Sequence, residues 1–355
     1  MNYTYHFPAV KGHQAGRDYF TTMVPLKLLS KLFPSDLDML PAEYRAQRVL
    51  NESRIPEIKK YILDNRNAYV FSALAASISG KMNFVSADDE VGFLDVDMNS
   101  SFMINDGQHR KAAIEAALEE DETLGDETIP IVFFMDEGLE RNQQMFTDLN
   151  KHAVKTSNSL STLYDSRDEI SKATKEVIDT VPFFSRYTDK ERDILGKNSS
   201  KLFTISTIYK ANKKIVHADS CSKSDIQFLI KFWKMVSSNI TEWQMVLNKA
   251  LTKKDLKESY IVTLAVVISA FGKLGRYFYD NKNVDMSECL PKLCDIDWSR
   301  TNPEWVGRAI RYDGKVLGSD EAVTLISNII KESIDVPLSK DEIVKEKKLM
   351  ESRTK

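Results

Sequence analysis

The chain has 355 residues, 42% of them hydrophobic, 28% charged and 10% aromatic, with only 13 Gly and 10 Pro. That is enough apolar chain for about two globular domains, and it excludes wholesale disorder, a fibrous repeat or a disulfide-knotted peptide. The 49 Lys and Arg against 52 Asp and Glu give a net charge of −3, which excludes a strongly basic coat protein, so any grip on nucleic acid has to come from a local patch of cations.

In chain order, the first six residues lack the basic and then apolar run of a secretory leader. A strand is expected over residues 19–24, followed by a helix from Pro25 in which Leu26, Leu29 and Leu32 recur at helical spacing. A second helix runs from about Pro56 to Asn65, with Pro56 in its first turn and Ile58, Ile62 and Leu63 on one face. Residues 69–78, 91–97 and 101–104 read as strands of a small sheet, the last two split by the turn-forming Asn99-Ser100. Asp106-Gly107 closes the third of these, and the alanine-rich run from Lys111 to Glu119 is nearly all strong helix former. The apolar run 129–135 has the pattern of a strand covered on both faces, and a helix over 139–149 completes an α/β half.

A domain boundary is expected in the polar stretch after residue 150, with a mainly helical second domain over 151–340 and a flexible or helical tail over 341–355. Helices are expected near residues 168–181, 189–195, 206–213, 224–236, 240–251 and 257–279. The segment Gly272-Lys273-Leu274-Gly275-Arg276 lies inside that last pattern, so its glycines read as tolerated helix residues rather than a phosphate loop. The apolar stretch 261–271 is well short of the ~20 residues of a membrane helix, so no membrane partner is expected. Cys221, Cys289 and Cys294 are few and odd in number, as free thiols in a reducing cytosol would be. Cys289 and Cys294 have neither a second ligand pair nor a neighbouring histidine, so no metal site is expected. The fold class is therefore α+β, a mixed α/β core followed by a helical half.

The segment that carries chemistry is Asn105-Asp106-Gly107-Gln108-His109-Arg110, set between a strand and a helix. The unbonded N–H groups of the helix's first turn and the positive end of its dipole favour an anion, and Gly107 lets a phosphate approach the backbone. Arg110 offers a planar fork of donors and His109 a donor or proton carrier, while Asp106 could hold a ribose hydroxyl or a metal-bound water. The same residues also fit a purely structural turn, with Asp106 as helix cap, Gly107 as turn residue and His109 and Arg110 on a solvated face.

The string Asp106-Gly107-Gln108-His109-Arg110 resembles the signature of DGQHR-domain proteins, which are distantly similar to the core shared by ParB and sulfiredoxin. Further matches lie in Phe146-Thr147-Asp148-Leu149-Asn150-Lys151-His152-Ala153-Val154-Lys155, in Ser159-Leu160-Ser161-Thr162-Leu163-Tyr164-Asp165-Ser166-Arg167-Asp168 and at Arg54-Ile55-Pro56. Together they make the chain resemble the DndB family of bacterial DNA sulfur modification proteins. The resemblance implies a ParB/sulfiredoxin-like core and a cytoplasmic negative transcriptional regulator that binds the promoter of a DNA phosphorothioate modification operon. It also implies a nucleotide- or phosphate-binding role for Asp106, Gly107, Gln108, His109 and Arg110, and leaves a nucleoside triphosphatase, coupled to DNA nicking, as the alternative. Whether the protein takes no cofactor or ATP with Mg²⁺ stays open, as do a homodimer and other modification proteins as partners. The Gly-Glu-Arg-Arg box of ParB and the loop cysteine of sulfiredoxin are absent from the sequence, so CTP clamping and sulfinic-acid repair are not carried over.

A repressor of net charge −3 has to concentrate its cations. Residues 197–214 carry Lys197, Lys201, Lys210, Lys213 and Lys214 and no acid, which fits contact with double-stranded DNA or an ordinary solvated lysine face. Asn150, Lys151, His152 and Lys155 form a second basic loop suited to a triphosphate or a DNA phosphate. Trp298 and Trp305, near Arg300, Arg308 and Arg311, either stack on bases or anchor a core.

Overall fold

The computed structural model describes residues 3–34, 50–136, 138–151, 156–196, 198–216 and 221–353. Its contacts divide the chain into two compact units, Met1–Val154 and Lys155–Lys355.

The first unit is built on β1 (Thr4–Gln14), β2 (Arg17–Pro25), β3 (Leu74–Ser79), β4 (Met82–Asp88), β5 (Val91–Asp97), β6 (Ser101–Asp106) and β7 (Thr128–Met135). They form one sheet in the order β4-β5-β1-β2-β7-β3-β6, antiparallel except for the β3–β7 pair. That order forces curvature. β3 and β4 stand five strands apart in the sheet, about 24 Å if it were flat, yet only Gly80 and Lys81 join them, a reach of about 11 Å. The sheet therefore rolls up, and Phe7, Phe20, Leu94, Phe102, Ile131 and Phe133 fill its concave side. Phe133 lies 5.7 Å from Phe102 and 6.2 Å from Phe7, centroid to centroid, the spacing that aromatic pairs prefer. Helices α1 (Leu29–Leu32), α2 (Ile55–Asp64) and α3 (Gln108–Leu118) close this core with Leu29, Leu32, Ile62, Ile114 and Ala117. Helix α4 (Leu139–Lys151) lies beside β6, and its Asn142 bonds to β3.

The second unit is helical, with one short parallel pair, β8 (Thr188–Asp189) and β9 (Phe203–Thr204). Its helices are α5 (Asn158–Tyr164), α6 (Glu169–Thr180), α7 (Pro182–Tyr187), α8 (Ile205–Ile215), α9 (Lys223–Asn239), α10 (Thr241–Leu247), α11 (Lys253–Ser259), α12 (Ala265–Asp280), α13 (Met286–Cys289), α14 (Asp320–Ser333) and α15 (Lys340–Arg353). Trp233, Trp243, Trp298 and Trp305 are all fully buried in one core with Phe183, Phe184 and Phe271. Trp298 and Trp305 stack on each other at 5.4 Å, so they anchor this core and present no ring to solvent. The α+β class holds, and no described helix is long and apolar enough to cross a membrane.

Several elements differ from expectation for local reasons. No strand was expected over β1 or β4. The segment 189–195 is not helical: Asp189 accepts from the N–H groups of Glu191 and Arg192, a turn that diverts the chain. The helix expected over 257–279 is broken at residues 260–264, where Tyr260 bridges to Ser299 and the Ile261 N–H donates to the Trp298 carbonyl. Helix α14 was not expected, although it buries Val323, Ile326 and Ile330.

Candidate functional site

Strand β6 delivers the site through a bulge. Ala75 pairs with Asp106 and Ala76 with Ile104, so Asn105 is the extra residue of β6, the device that re-aims a side chain next to a turn. Gly107 follows at φ 107° and starts α3 without a side-chain cap. A Cβ there would stand 2.3 Å from Leu74 Cδ2, so both the dihedral and the space demand glycine. Gly107 supplies no side-chain cap to the first turn of α3, the arrangement in which backbone N–H groups at a helix start can take an acceptor from outside.

The side chains of the motif divide into braces and open groups. Arg110 is a brace. Its Nη2 donates to Asp106 Oδ2 at 2.7 Å, and its Nη1 reaches the Ser72 carbonyl at 2.6 Å, Ser72 Oγ at 2.5 Å and the Ala73 carbonyl at 2.9 Å. The planar fork thus ties the strand end to the chain entering β3, and Asp106 serves as its partner rather than as helix cap. His109 Nε2 accepts the backbone N–H of Asn51 at 3.0 Å, which puts the proton of the neutral ring on Nδ1.

Gln108 Nε2 is buried with no hydrogen-bond partner among the described residues. The Asn105 side chain, 1% exposed, faces Ser77 Oγ at 3.0 Å, and its other amide end likewise has no partner among the described residues. Ser77 Oγ also lies 2.8 Å from Asn142 Oδ1, while Asn142 Nδ2 donates to Asp136 at 2.7 Å. Ser77 has one proton for two amide oxygens, so this cluster keeps an unsatisfied polar atom whichever way the Asn105 amide is turned. The unpartnered amide atoms of Asn105 and Gln108 are two of eleven buried side-chain atoms without a partner among the described residues, and the two that stand at this turn are atoms that a ligand's polar groups would satisfy.

The second basic loop lies outside the described residues: His152 and Lys155 entirely, and the side chains of Asn150 and Lys151 at the end of α4. Lys197 lies outside them as well. Of the other lysines named from the sequence, Lys201 is spent on the Arg186 carbonyl at 2.9 Å and Lys214 lies 3.5 Å from Asp320. Lys210 and Lys213 are exposed on α8 and have no partner among the described residues. Helix α12 packs closely beside them, because Gly272 lets it approach until an added Cβ would meet the Ala211 carbonyl at 2.9 Å. The glycines read as merely tolerated in a helix are thus its contact surface, and they bring Lys273 and Arg276 of α12 to the side of α8. This neighbourhood was missed from sequence because α8 and α12 are about 60 residues apart.

These features define an α+β protein with an arginine-braced strand–glycine–helix turn in one unit and a cation-bearing helix pair in the other. No curated protein and no solved structure matches the chain. The model of the DndB family, described as DNA-sulfur modification-associated, matches residues 7–337, and the chain belongs to that family. Its membership ties the protein to DNA sulfur modification.

Proposed function

We propose that the protein is a DNA-binding regulator of a DNA phosphorothioate modification operon, gripping duplex DNA through the exposed face of α8 and holding a phosphate-bearing ligand at the Asp106–Arg110 turn. The observation that carries the first part is the pair Lys210 and Lys213, exposed and without partners among the described residues, with Lys214, Lys273 and Arg276 beside them. Lys214 and Arg276 are paired with Asp320 and Asp280 and Lys273 is part-buried, so Lys210 and Lys213 are the exposed cations of a local patch of the kind that an acidic chain needs to hold phosphates. The second part is supported by the uncapped start of α3 at Gly107 and the unsatisfied amides of Asn105 and Gln108.

Binding is favoured over triphosphate hydrolysis by what the side chains of the turn already do. Arg110 has four acceptors on its two terminal nitrogens and Asp106 is its counter-ion, so neither is poised for a transferring phosphoryl group. His109 has its Nε2 lone pair committed to Asn51.

The test is anisotropy of a labelled duplex from upstream of the modification operon against a scrambled duplex, across a salt series. In Lys210→Glu/Lys213→Glu the affinity should fall, and the slope of log K against log salt should flatten by about two, at ~0.9 per phosphate contact. An unchanged affinity and slope in the folded variant would reject α8 as the DNA contact.

A further inference from the structure

Helix α15 is held by charge. Among the residues whose side chains are described, none on this helix is fully buried, and its apolar Ile343, Val344 and Met350 are 41%, 64% and 47% exposed. Leu349 alone of its apolar side chains is half-buried, so apolar burial is the smaller part of what fastens it. Its two inward carboxylates do the fastening. Glu342 Oε1 receives Lys331 Nζ at 2.7 Å, and Glu346 pairs with Arg308 through Oε2 and accepts Asn328 Nδ2 through Oε1 at 2.9 Å. The side chains of Lys331 and Arg308 are only 7% and 1% exposed in this arrangement.

The floor under α15 is a polar trough. Thr324, Asn328 and Lys331 recur at i, i+4 and i+7 on one face of α14, which makes them neighbours along it. Lys273 of α12 joins them by donating to Thr324 Oγ1 at 2.6 Å, and Arg308 closes the other end. Burial and the nearby Lys345 and Lys214 hold the Lys273 ammonium below its usual range, as a crowded row of cations requires. Glu332 stands at the rim near Arg308 and Glu346. Three cations thus line the trough, and two carboxylates one helical turn apart cover them. Lys273 also belongs to the patch beside α8, so the trough continues that patch. The family match ends at residue 337, three residues before α15 starts.

We infer that α15 is an internal competitor for this trough, its Glu342 and Glu346 occupying the places of two phosphates of a nucleic-acid backbone, and that its release adds Arg308 and Lys331 to the DNA-contacting surface. The inference rests on the DNA-binding reading above. Carboxylates and phosphates accept from the same donors, and a helix held mainly by two ion pairs, with little apolar area, is one that a polyanion can displace. Once the trough is open, an outside phosphate backbone meets the same guanidinium, ammonium and amide donors.

The experiment uses the full chain carrying Glu342→Gln and Glu346→Gln, with heparin as a DNA-independent polyanion and a duplex of arbitrary sequence as second probe. Fluorescence of the four buried tryptophans reports that the helical core is intact. The folded variant should elute from heparin at higher salt than the wild type, and its DNA salt slope should steepen by about two, the two added contacts at ~0.9 each. Adding Lys331→Gln should return about half of that increase. A folded variant with unchanged elution and slope overturns the competitor role, and if the wild type still loses DNA on Lys210→Glu/Lys213→Glu, the regulator reading stands without it. If neither protein binds duplex but the variant gains heparin affinity, the trough is confirmed and the DNA reading fails instead. Should the double variant unfold, proteolysis of the wild type decides: cleavage between residues 334 and 340 that heparin accelerates supports release, and cleavage that heparin leaves unchanged rejects it.

Discussion

Gly107 and Arg110 show how a motif can be chemical and structural at once. Gly107 sits at φ 107° with no room for a methyl group beside Leu74, so Gly107→Ala combines backbone strain with a clash in a packed wall. A loss of about 2–4 kcal/mol from the first unit is expected in urea unfolding. Arg110→Lys keeps the charge but cannot span Asp106, Ser72 and Ala73 together. It should cost about 2 kcal/mol of stability, with any fall in anion binding following from the loosened turn. A variant of wild-type stability that has lost phosphate binding would move Arg110 from brace to ligand contact. The sequence showed that a strand, an Asp-Gly turn and a helix meet here, because those signals are local. It did not show that the Arg110 fork is already filled, because Ser72 and Ala73 lie almost 40 residues upstream and are brought to it by the β3–β6 pairing.

At the scale of elements, the start of α5 explains why residues 189–195 do not form the helix their composition favours. The Asp193 carboxylate accepts five hydrogen bonds, from the backbone N–H and side-chain amide of Asn158, the N–H and hydroxyl of Ser159, and the hydroxyl of Ser206. An acceptor was expected at a helix start in this protein, and here the chain supplies its own. Burial alone would raise the Asp193 carboxyl, but the bonds from Asn158, Ser159 and Ser206 outweigh it and bring the carboxyl down to about 2. Because the folded value lies below the unfolded value of about 4, the charged form stabilises the fold fully above pH ~4 and progressively less as the pH falls toward 2. Asp193→Asn should therefore lose about 2 kcal/mol at pH 6, and the gap to wild type should narrow in urea titrations at pH 3. A gap that stays constant from pH 6 to pH 3 would assign the loss to packing rather than charge. The missed strand β1 has the opposite cause. Pro8 and Gly12 argue locally against a strand, but β1 pairs on both sides, with β5 and β2, and that long-range ladder overrides the local signal.

For the whole molecule, the decisive fact is that the described residues of each unit form a hydrophobic core of their own. The residues that fill the rolled sheet run from Phe7 to Phe133 and those of the helical core from Ile170 to Val336, and the contacts divide the chain at Val154 and Lys155. A unit that buries its own apolar surface is expected to fold by itself, and about 200 residues is ample for that. The proposed DNA contact and the proposed phosphate turn lie in different units, so they are expected to be separable. A fragment of residues 155–355 should unfold in one cooperative transition, keep its tryptophans buried and retain the salt slope of the full chain on duplex DNA. The fragment of residues 1–154 should bind inorganic phosphate or a nucleotide and show no salt-dependent affinity for the duplex. If 155–355 is folded and its salt slope is flatter than that of the full chain, part of the DNA contact belongs to the first unit, and the Asp106–Arg110 turn becomes the first place to look for the missing phosphates, since its uncapped helix start would serve a DNA backbone as well as a nucleotide.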